Sequence, residues 1–323
     1  MNILLFLIFF LILFAIELVY FRIADKFNII DHPNHRSSHT KVTIRGGGVI
    51  FSIALLVAPL FFGQKYDYFL AGLFLISLIS FMDDIKHMSK RIRIAVHLIA
   101  VALLFQQLNI YHLPVYWIIL GFILFIGTIN AINFMDGING ITGGYSLITL
   151  ITLYYINERL IVFTNGNQLL VTIIALLVFN FFNFRVKAKC FAGDVGSVSI
   201  AFIILFFILQ LIIKTNDLDY LLLLLIYGLD SISTIVFRLI RKENIAEAHR
   251  SHLYQFLVNE KKAPHLAVAA MYMVVQGIIN ILLIGFLPKS PVSFVLLVIV
   301  TTLIFVLTRL KLEGKQRLLN VGK

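Results

Sequence analysis

Charge is what this sequence has least of. Of its 323 residues only 13% are Asp, Glu, Lys or Arg, about half the share of an ordinary soluble domain. With 60% hydrophobic residues and a mean hydropathy of +0.96, the shortage excludes a conventional soluble enzyme and predicts an integral membrane protein. Cysteine is nearly missing as well. Cys190 stands alone, which rules out an intrachain disulfide and a cysteine-based metal cluster. No low-complexity tract, detectable repeat or soluble domain interrupts the pattern, so residues 1–323 read as a single membrane domain. The opening MNILLFLIFFLILFAIELVY has no basic n-region, and its apolar run exceeds a signal-peptide core. A retained first helix is the expectation.

The apolar runs predict an all-α, polytopic fold of about eleven transmembrane helices, at 2–22, 45–62, 67–82, 94–109, 114–131, 142–157, 167–183, 196–213, 218–237, 265–287 and 292–309. Placing the N-terminus outside and the C-terminus in the cytoplasm puts 23 of the 27 Lys and Arg on one side. Only Lys65, Arg159, Lys214 and Lys289 fall on the other, so the positive-inside rule makes the rich side cytoplasmic. The net charge of +11 then reflects loops facing anionic lipid, and nucleic acid is not implied. Polar chemistry gathers in the loops of that side: 23–44, 83–93, 132–141, 184–195 and 238–264.

Five stretches carry it. In FMDDIKHMSKRIR (81–93) two adjacent carboxylates, Asp83 and Asp84, close an apolar run. Such a pair repels unless cations compensate, and Lys86, Lys90, Arg91 and Arg93 either do so or cradle a polyanionic substrate. In TINAINFMDGINGITGGYSL (128–147), Asn130, Asn133, Asp136 and Asn139 recur every third residue. On a helical turn they form a band of hard oxygen ligands suited to magnesium, although Asp-Gly and Asn-Gly alone mean only a turn. FAGDVGSVSI (191–200) offers Gly193, Asp194 and Ser197. Asp194 is either the N-cap of the next helix or a cation ligand beside a phosphate at that helix N-terminus. AEAHRSHLYQFL supplies His249, Arg250 and His252 as phosphate donors, or else a basic lipid-facing surface. DHPNHRSSHTKVTIRGGG (31–48) adds Arg36, Lys41 and Arg45 as substrate-binding candidates. Zinc at His32, His35 and His39 is disfavoured, because Pro33 breaks helical spacing and only Asp31 is at hand to complete a site. Two carboxylates fall inside the apolar runs. Glu17 is placed to snorkel from the inner end of the first helix. Asp230 sits deeper, a functional candidate by default, with Arg238 two turns on as partner.

In this order and on one face, FMDD, NAINFMDGING, FAGDVGS and HRSHLYQ resemble the polyprenyl-phosphate N-acetylhexosamine-1-phosphate transferase family, over residues 31 to about 260. The resemblance implies a magnesium-dependent enzyme, with manganese as a substitute, acting at the cytoplasmic face of the bacterial inner membrane. Its substrates would be a UDP-N-acetylaminosugar and undecaprenyl phosphate, its products UMP and a polyprenyl-diphosphate sugar, and its assembly a homodimer. By the same likeness Asp83 and Asp84 are catalytic, Asp194 and Asn133 belong to the metal site, and Asp136 and Asn139 match positions that are often both aspartate. His252 is similar to the first histidine of the family's His-rich loop, where Tyr254 and Gln255 stand in place of later ones. That departs from the muramoyl-pentapeptide branch. The loops look most like the branch initiating O-antigen and related glycans, with Ile44 where a Pro is usual. The sugar stays open among GlcNAc, N-acetylfucosamine and N-acetylquinovosamine. Two rivals from other classes are a multi-spanning transporter or flippase and a phosphatase of the lipid diphosphate.

Overall fold

The order of elements is α1 (Ile3–Lys26), β1 (Ile30–Asp31), β2 (Thr43–Ile44), α2 (Val49–Val57), α3 (Pro59–Phe62), α4 (Asp67–Ile85), α5 (Lys90–Gln107), α6 (Val115–Met135), α7 (Ile141–Arg159), α8 (Gly166–Asn183), α9 (Gly193–Thr215), α10 (Leu225–Ile240), α11 (Leu253–Asn259), α12 (His265–Ile281), α13 (Pro291–Glu313) and α14 (Lys315–Leu319). A 3₁₀ segment, Leu218–Leu224, leads into α10, and a π turn, Leu282–Phe286, extends α12. The computed structural model describes residues 1–31, 42–63, 66–245, 247, 249–288 and 290–320. Arg36, Lys41, His32, His35 and His39 lie outside the described residues.

Each of the eleven expected segments is helical, and the protein is an all-α polytopic membrane protein. Among the described residues, eight helical spans are long and apolar enough to cross a membrane by length and composition. The other three expected segments depart from that measure for local reasons. Helix α5 begins at Lys90 rather than 94, because Ser89 Oγ accepts the Ile92 N–H at 3.3 Å, so its first turn holds Lys90, Arg91 and Arg93. Helix α2 starts at Val49 rather than 45, since the preceding glycines stay outside the helix, and Pro59 divides it from α3. Helix α7 is diluted by its glycines and threonines and ends in Asn157, Glu158 and Arg159.

Burial sorts the helices into a centre and a rim. The apolar window of α9 is 83% buried, that of α13 only 6%. Helix α9 packs against α4, α6 and α2, and Phe206 stacks on Phe69 with ring centroids 3.7 Å apart. The exposed apolar faces of α1, α6 and α13 suit a hydrocarbon surrounding in which no water penalises them. The core thus carries α9 with its N-terminus fixed among the ends of other helices. That is where the polar stretches meet.

Candidate active site

The RGGG and FAGD stretches zip together. Phe191 N donates to Ile44 O at 2.8 Å, Gly47 N to Phe191 O at 2.9 Å and Gly48 N to Ala192 O at 3.1 Å, continuing a parallel bridge between Ile44 and Cys190. Only glycine permits this approach. A Cβ on Gly48 would lie 2.3 Å from the Cα of Gly196 and 3.0 Å from Ala192 O. Gly48→Ala is therefore expected to cost about 1–3 kcal/mol in overpacking, or more if the backbone cannot yield. Thermal unfolding of the detergent-solubilised protein checks this, and an unchanged Tm would show that the two strands are free to part. Beneath the zipper Glu17 is fully buried and accepts from Cys190 Sγ at 3.7 Å. It does not snorkel, because the RGGG segment and Cys190 close over it. Burial, reinforced by Glu17, pushes the Cys190 thiol well above its usual range, leaving a packed thiol and not a nucleophile.

The zipper delivers Arg45 to two carboxylates. Arg45 Nε lies 2.6 Å from Asp84 Oδ1, and Nη2 lies 3.3 Å from Asp194 Oδ1. From the other side, Arg93 Nη1 lies 2.5 Å from Asp83 Oδ2 and Nη2 3.3 Å from Asp194 Oδ2. Burial alone would lower the Arg45 guanidinium, but Asp84 and Asp194 more than reverse that. Asp83 also accepts from Met88 N at 2.6 Å and lies within hydrogen-bonding reach of Asp194. Asp84 accepts the Asp194 and Val195 N–H groups at 2.8 and 2.9 Å. It thereby caps α9 from another helix, the place a phosphate takes at other helix N-termini. Asp194 is thus not the N-cap. It stands in the first turn, with Gly193 at φ +71°, where a Cβ would meet Asp84 Oδ2 at 2.5 Å. Three carboxylates and two guanidiniums form one ring of ion pairs, and Asp194 is its most open carboxylate, with 19% side-chain exposure against 3% for Asp83 and 0% for Asp84.

The 130–139 stretch divides. Asn133 turns to α9, its Nδ2 donating to Ser197 Oγ at 3.1 Å, and Ser197 Oγ donates in turn to Gly193 O at 3.0 Å. Asp136 sits nearby, its carboxyl lifted to about 7 by burial and by the charge of Asp194. Asn130 Nδ2 is spent on Ile126 O at 2.9 Å. Asn139 is buried and ties down the 184–187 loop through Arg185 O at 2.8 Å. The expected four-member ligand band therefore does not form: α6 ends at Met135, so the three-residue period stops following one helical face.

The HRSH loop is held against the same turn. Tyr254 Oη donates to Phe134 O at 2.9 Å, and Gly137 has no side chain because Tyr254 fills that space. His249 and Arg250 are half-buried; the His249 ring lies 6.2 Å from that of Phe134. Burial, with His252 beside it, lowers the His249 imidazole to about 4, so it is neutral at pH 7. His252 itself is buried and faces Asp230, its Nδ1 3.4 Å from Oδ1. The partner expected for Asp230 was wrong. Arg238 pairs with Glu243 at 3.0 Å, and Asp230 instead accepts from Tyr272 Oη at 2.6 Å and faces Arg309 Nη1 at 3.8 Å. Nothing in the sequence marks Arg309 and Tyr272 as its partners, since they lie 79 and 42 residues away from Asp230 within apolar helices. Lys90 and Arg91 are exposed at the start of α5.

The oxygens of Asp194 and Asn133 are hard donors suited to magnesium, which binds through one or two carboxylates and keeps the remaining positions for water and phosphate. Among the described residues no three acidic, histidine or cysteine groups converge as an all-protein cage, and magnesium asks for none.

Comparison with known proteins agrees with this constellation. The model of the family described as "Glycosyl transferase family 4" matches residues 66–212, a span holding Asp83, Asp84, Asn133, Asp136 and Asp194. A probable undecaprenyl-phosphate N-acetylglucosaminyl 1-phosphate transferase of Bacillus subtilis (strain 168) is 25% identical over 286 residues, covering 78% of this chain and 76% of that protein. With the paired aspartates and the FAGD turn gathered at one helix N-terminus, the chain is similar over residues 66–212 to glycosyl transferase family 4, and over most of its length to an undecaprenyl-phosphate N-acetylglucosaminyl 1-phosphate transferase.

Proposed function

We propose that this protein transfers an N-acetylaminosugar-1-phosphate from a UDP-sugar to undecaprenyl phosphate at the cytoplasmic membrane face. The observation that carries the reading is the ion-pair ring at the N-terminus of α9, where Asp83, Asp84 and Asp194 are held by Arg45 and Arg93. The ring sits where α4 ends, and a lipid phosphate whose tail stays in the bilayer presents its head at such a depth. Its second pKa near 6 leaves it largely dianionic at pH 7. An oxygen of the lipid phosphate attacks the sugar-linked phosphorus of the UDP-sugar. A new P–O bond forms, the bond from that phosphorus to the bridging oxygen breaks, and UMP leaves with this oxygen and the electron pair. Since one anhydride replaces another, the task is to gather anions and align them, not to drive an uphill step.

In this reading Asp83 orients the nucleophile and accepts its residual proton, while Asp84 holds the α9 N-terminus and Arg45 in place. Asp194 and Asn133 would hold magnesium, with manganese as a substitute, which supplies charge neutralisation to the diphosphate. Arg250 meets phosphate as a cation and His249 as a neutral hydrogen-bonding ring. Arg250→Ala is expected to raise the KM for UDP-sugar by about 10-fold, the loss of one charge-assisted contact, with little change in Tm. Equal kinetics in the variant would make the loop a lipid-facing basic surface. The B. subtilis relative's name favours GlcNAc as the sugar, and the likeness of the loops favours the first step of a surface glycan of the O-antigen type. Purified protein given undecaprenyl phosphate and a panel of UDP-sugars tests all of this. UMP release and a lipid product of the mass of undecaprenyl-diphosphate-GlcNAc are expected. A transporter would release no UMP, and a phosphatase would yield inorganic phosphate instead.

A further inference from the structure

Helix α13 is the least embedded of the spans, and only two of its 23 residues, Phe305 and Arg309, are buried. An arginine 1% exposed on such a helix requires compensation from its neighbours. It receives that from three directions. Nη1 donates to Ser233 Oγ at 2.8 Å and Thr234 Oγ1 at 2.9 Å on α10, Nη2 to Ser251 O at 2.7 Å, and Nε to Glu313 Oε1 at 2.6 Å. Asp230 completes the group. Besides Tyr272 Oη it accepts the Leu253 N–H at 3.0 Å, so it caps α11 from α10, while His252 Nδ1 lies 3.4 Å from its Oδ1. Helices α10, α12 and α13 therefore converge on the backbone of Ser251–Leu253, on either side of His252.

This network lies outside residues 66–212 and touches none of the three carboxylates of the ring. Yet both of its buried charges reach the segment that carries His249 and Arg250, Arg309 through Ser251 O and Asp230 through the Leu253 N–H. A buried ionic group is a costly way to gain general stability, since apolar residues of equal volume often do as well. What it supplies is one defined geometry. His252 passes that geometry outward, its ring 5.7 Å from Tyr254 and 5.1 Å from His249.

We infer that Arg309 and Asp230 are positioning residues for the transfer: they clasp the Ser251–Leu253 backbone so that His249 and Arg250 meet the phosphates of the UDP-sugar. The inference rests on the reaction proposed above. It makes the last spanning helix part of the donor-substrate machinery, and His252 part of the clasp and not a substrate ligand.

Arg309→Lys keeps the charge but loses the planar fork that serves four acceptors at once. In proteoliposomes with UDP-GlcNAc and undecaprenyl phosphate, kcat/KM for UDP-GlcNAc should fall on the order of 10- to 100-fold, while the KM for undecaprenyl phosphate stays unchanged. In an Arg250→Ala background the same substitution should cost little more, because the group it positions is gone. Hydrogen exchange should quicken at residues 249–255 and stay unchanged at 83–93 and 191–200. Fully additive losses, or exchange quickening throughout the protein in step with a lower Tm, would overturn the clasp and leave Arg309 a stabilising residue only. Should Arg309→Lys fail to accumulate, Tyr272→Phe removes one hydrogen bond to Asp230 and is read by the same assays. A wild-type protein that releases UMP from no UDP-sugar would sink the proposed reaction. The exchange measurement would still decide the clasp by itself.

Discussion

Asp83→Asn is expected to lower kcat by about 10²–10⁴-fold, the usual loss when a general base is removed, with UDP-sugar affinity nearly unchanged. Asparagine keeps the shape and one oxygen acceptor for Met88 N or Arg93, but it cannot take a proton. Asp84→Asn should behave differently. Both oxygens of Asp84 already receive backbone N–H groups, and an amide can accept only through one of them. The other N–H of α9 then faces an NH₂ in a buried place, costing about 1–3 kcal/mol of stability. So both variants lose turnover, but Asp84→Asn loses more Tm, because it leaves a backbone N–H of the α9 cap unpaired where Asp83→Asn leaves a donor of the part-exposed Arg93. Steady-state kinetics beside thermal unfolding separates the two, and equal Tm losses would deny the distinction drawn between orienting and capping aspartates. A variant that raised KM with kcat intact would place Asp83 in ground-state binding instead.

That distinction was not legible in FMDD. Two adjacent aspartates look alike in a sequence, and nothing in their spacing tells which one meets the N-terminus of a helix 110 residues later. What was legible follows from short-range physics. Apolar runs show where helices lie, and the density of glycine in RGGG and FAGD signals close backbone approach before any partner is known. Helix ends depart from the apolar runs where a cap outweighs hydropathy, as Ser89 does by drawing the basic KRIR run into α5. The ligand band failed for a related reason. The three-residue period runs past Met135, where the helix stops, and Asn139 turns to a neighbouring loop.

Buried charges were the least legible of all. Arg238 was the near choice for Asp230, two turns along the same helix, and distance in sequence favoured it. The actual partners come from α12 and α13. Arg238 is spent on Glu243 at the end of α10, while Tyr272 and Arg309 reach Asp230 from other helices packed against it. Glu17 shows the same limit. Its place near the end of α1 suggested reach to water, yet a loop from elsewhere in the chain covers it completely.

Asp194→Ala is expected to abolish turnover while the protein still folds in membranes, and excess magnesium should not restore it. Asp194 touches both arginines at 3.3 Å, longer than the 2.5 and 2.6 Å pairs made by Asp83 and Asp84. Weaker ties and greater exposure mark it as the carboxylate that can exchange arginine for an incoming cation. Its removal leaves the α9 cap intact, because the cap uses the Asp194 backbone N–H and not its side chain. Folding should therefore survive, with Tm near that of the wild type. Without the carboxylate, Arg45 and Arg93 would face each other across the ring with Asp83 and Asp84 still attached. Anion binding should be retained or strengthened, so UMP or UDP-sugar should still bind in the absence of metal. Isothermal titration of UMP, with and without magnesium, measures this directly. If Asp194→Ala retains near-normal turnover, the cation site is not at α9. If it loses UMP binding in metal-free buffer as well, Asp194 organises the arginines and does not itself hold the metal.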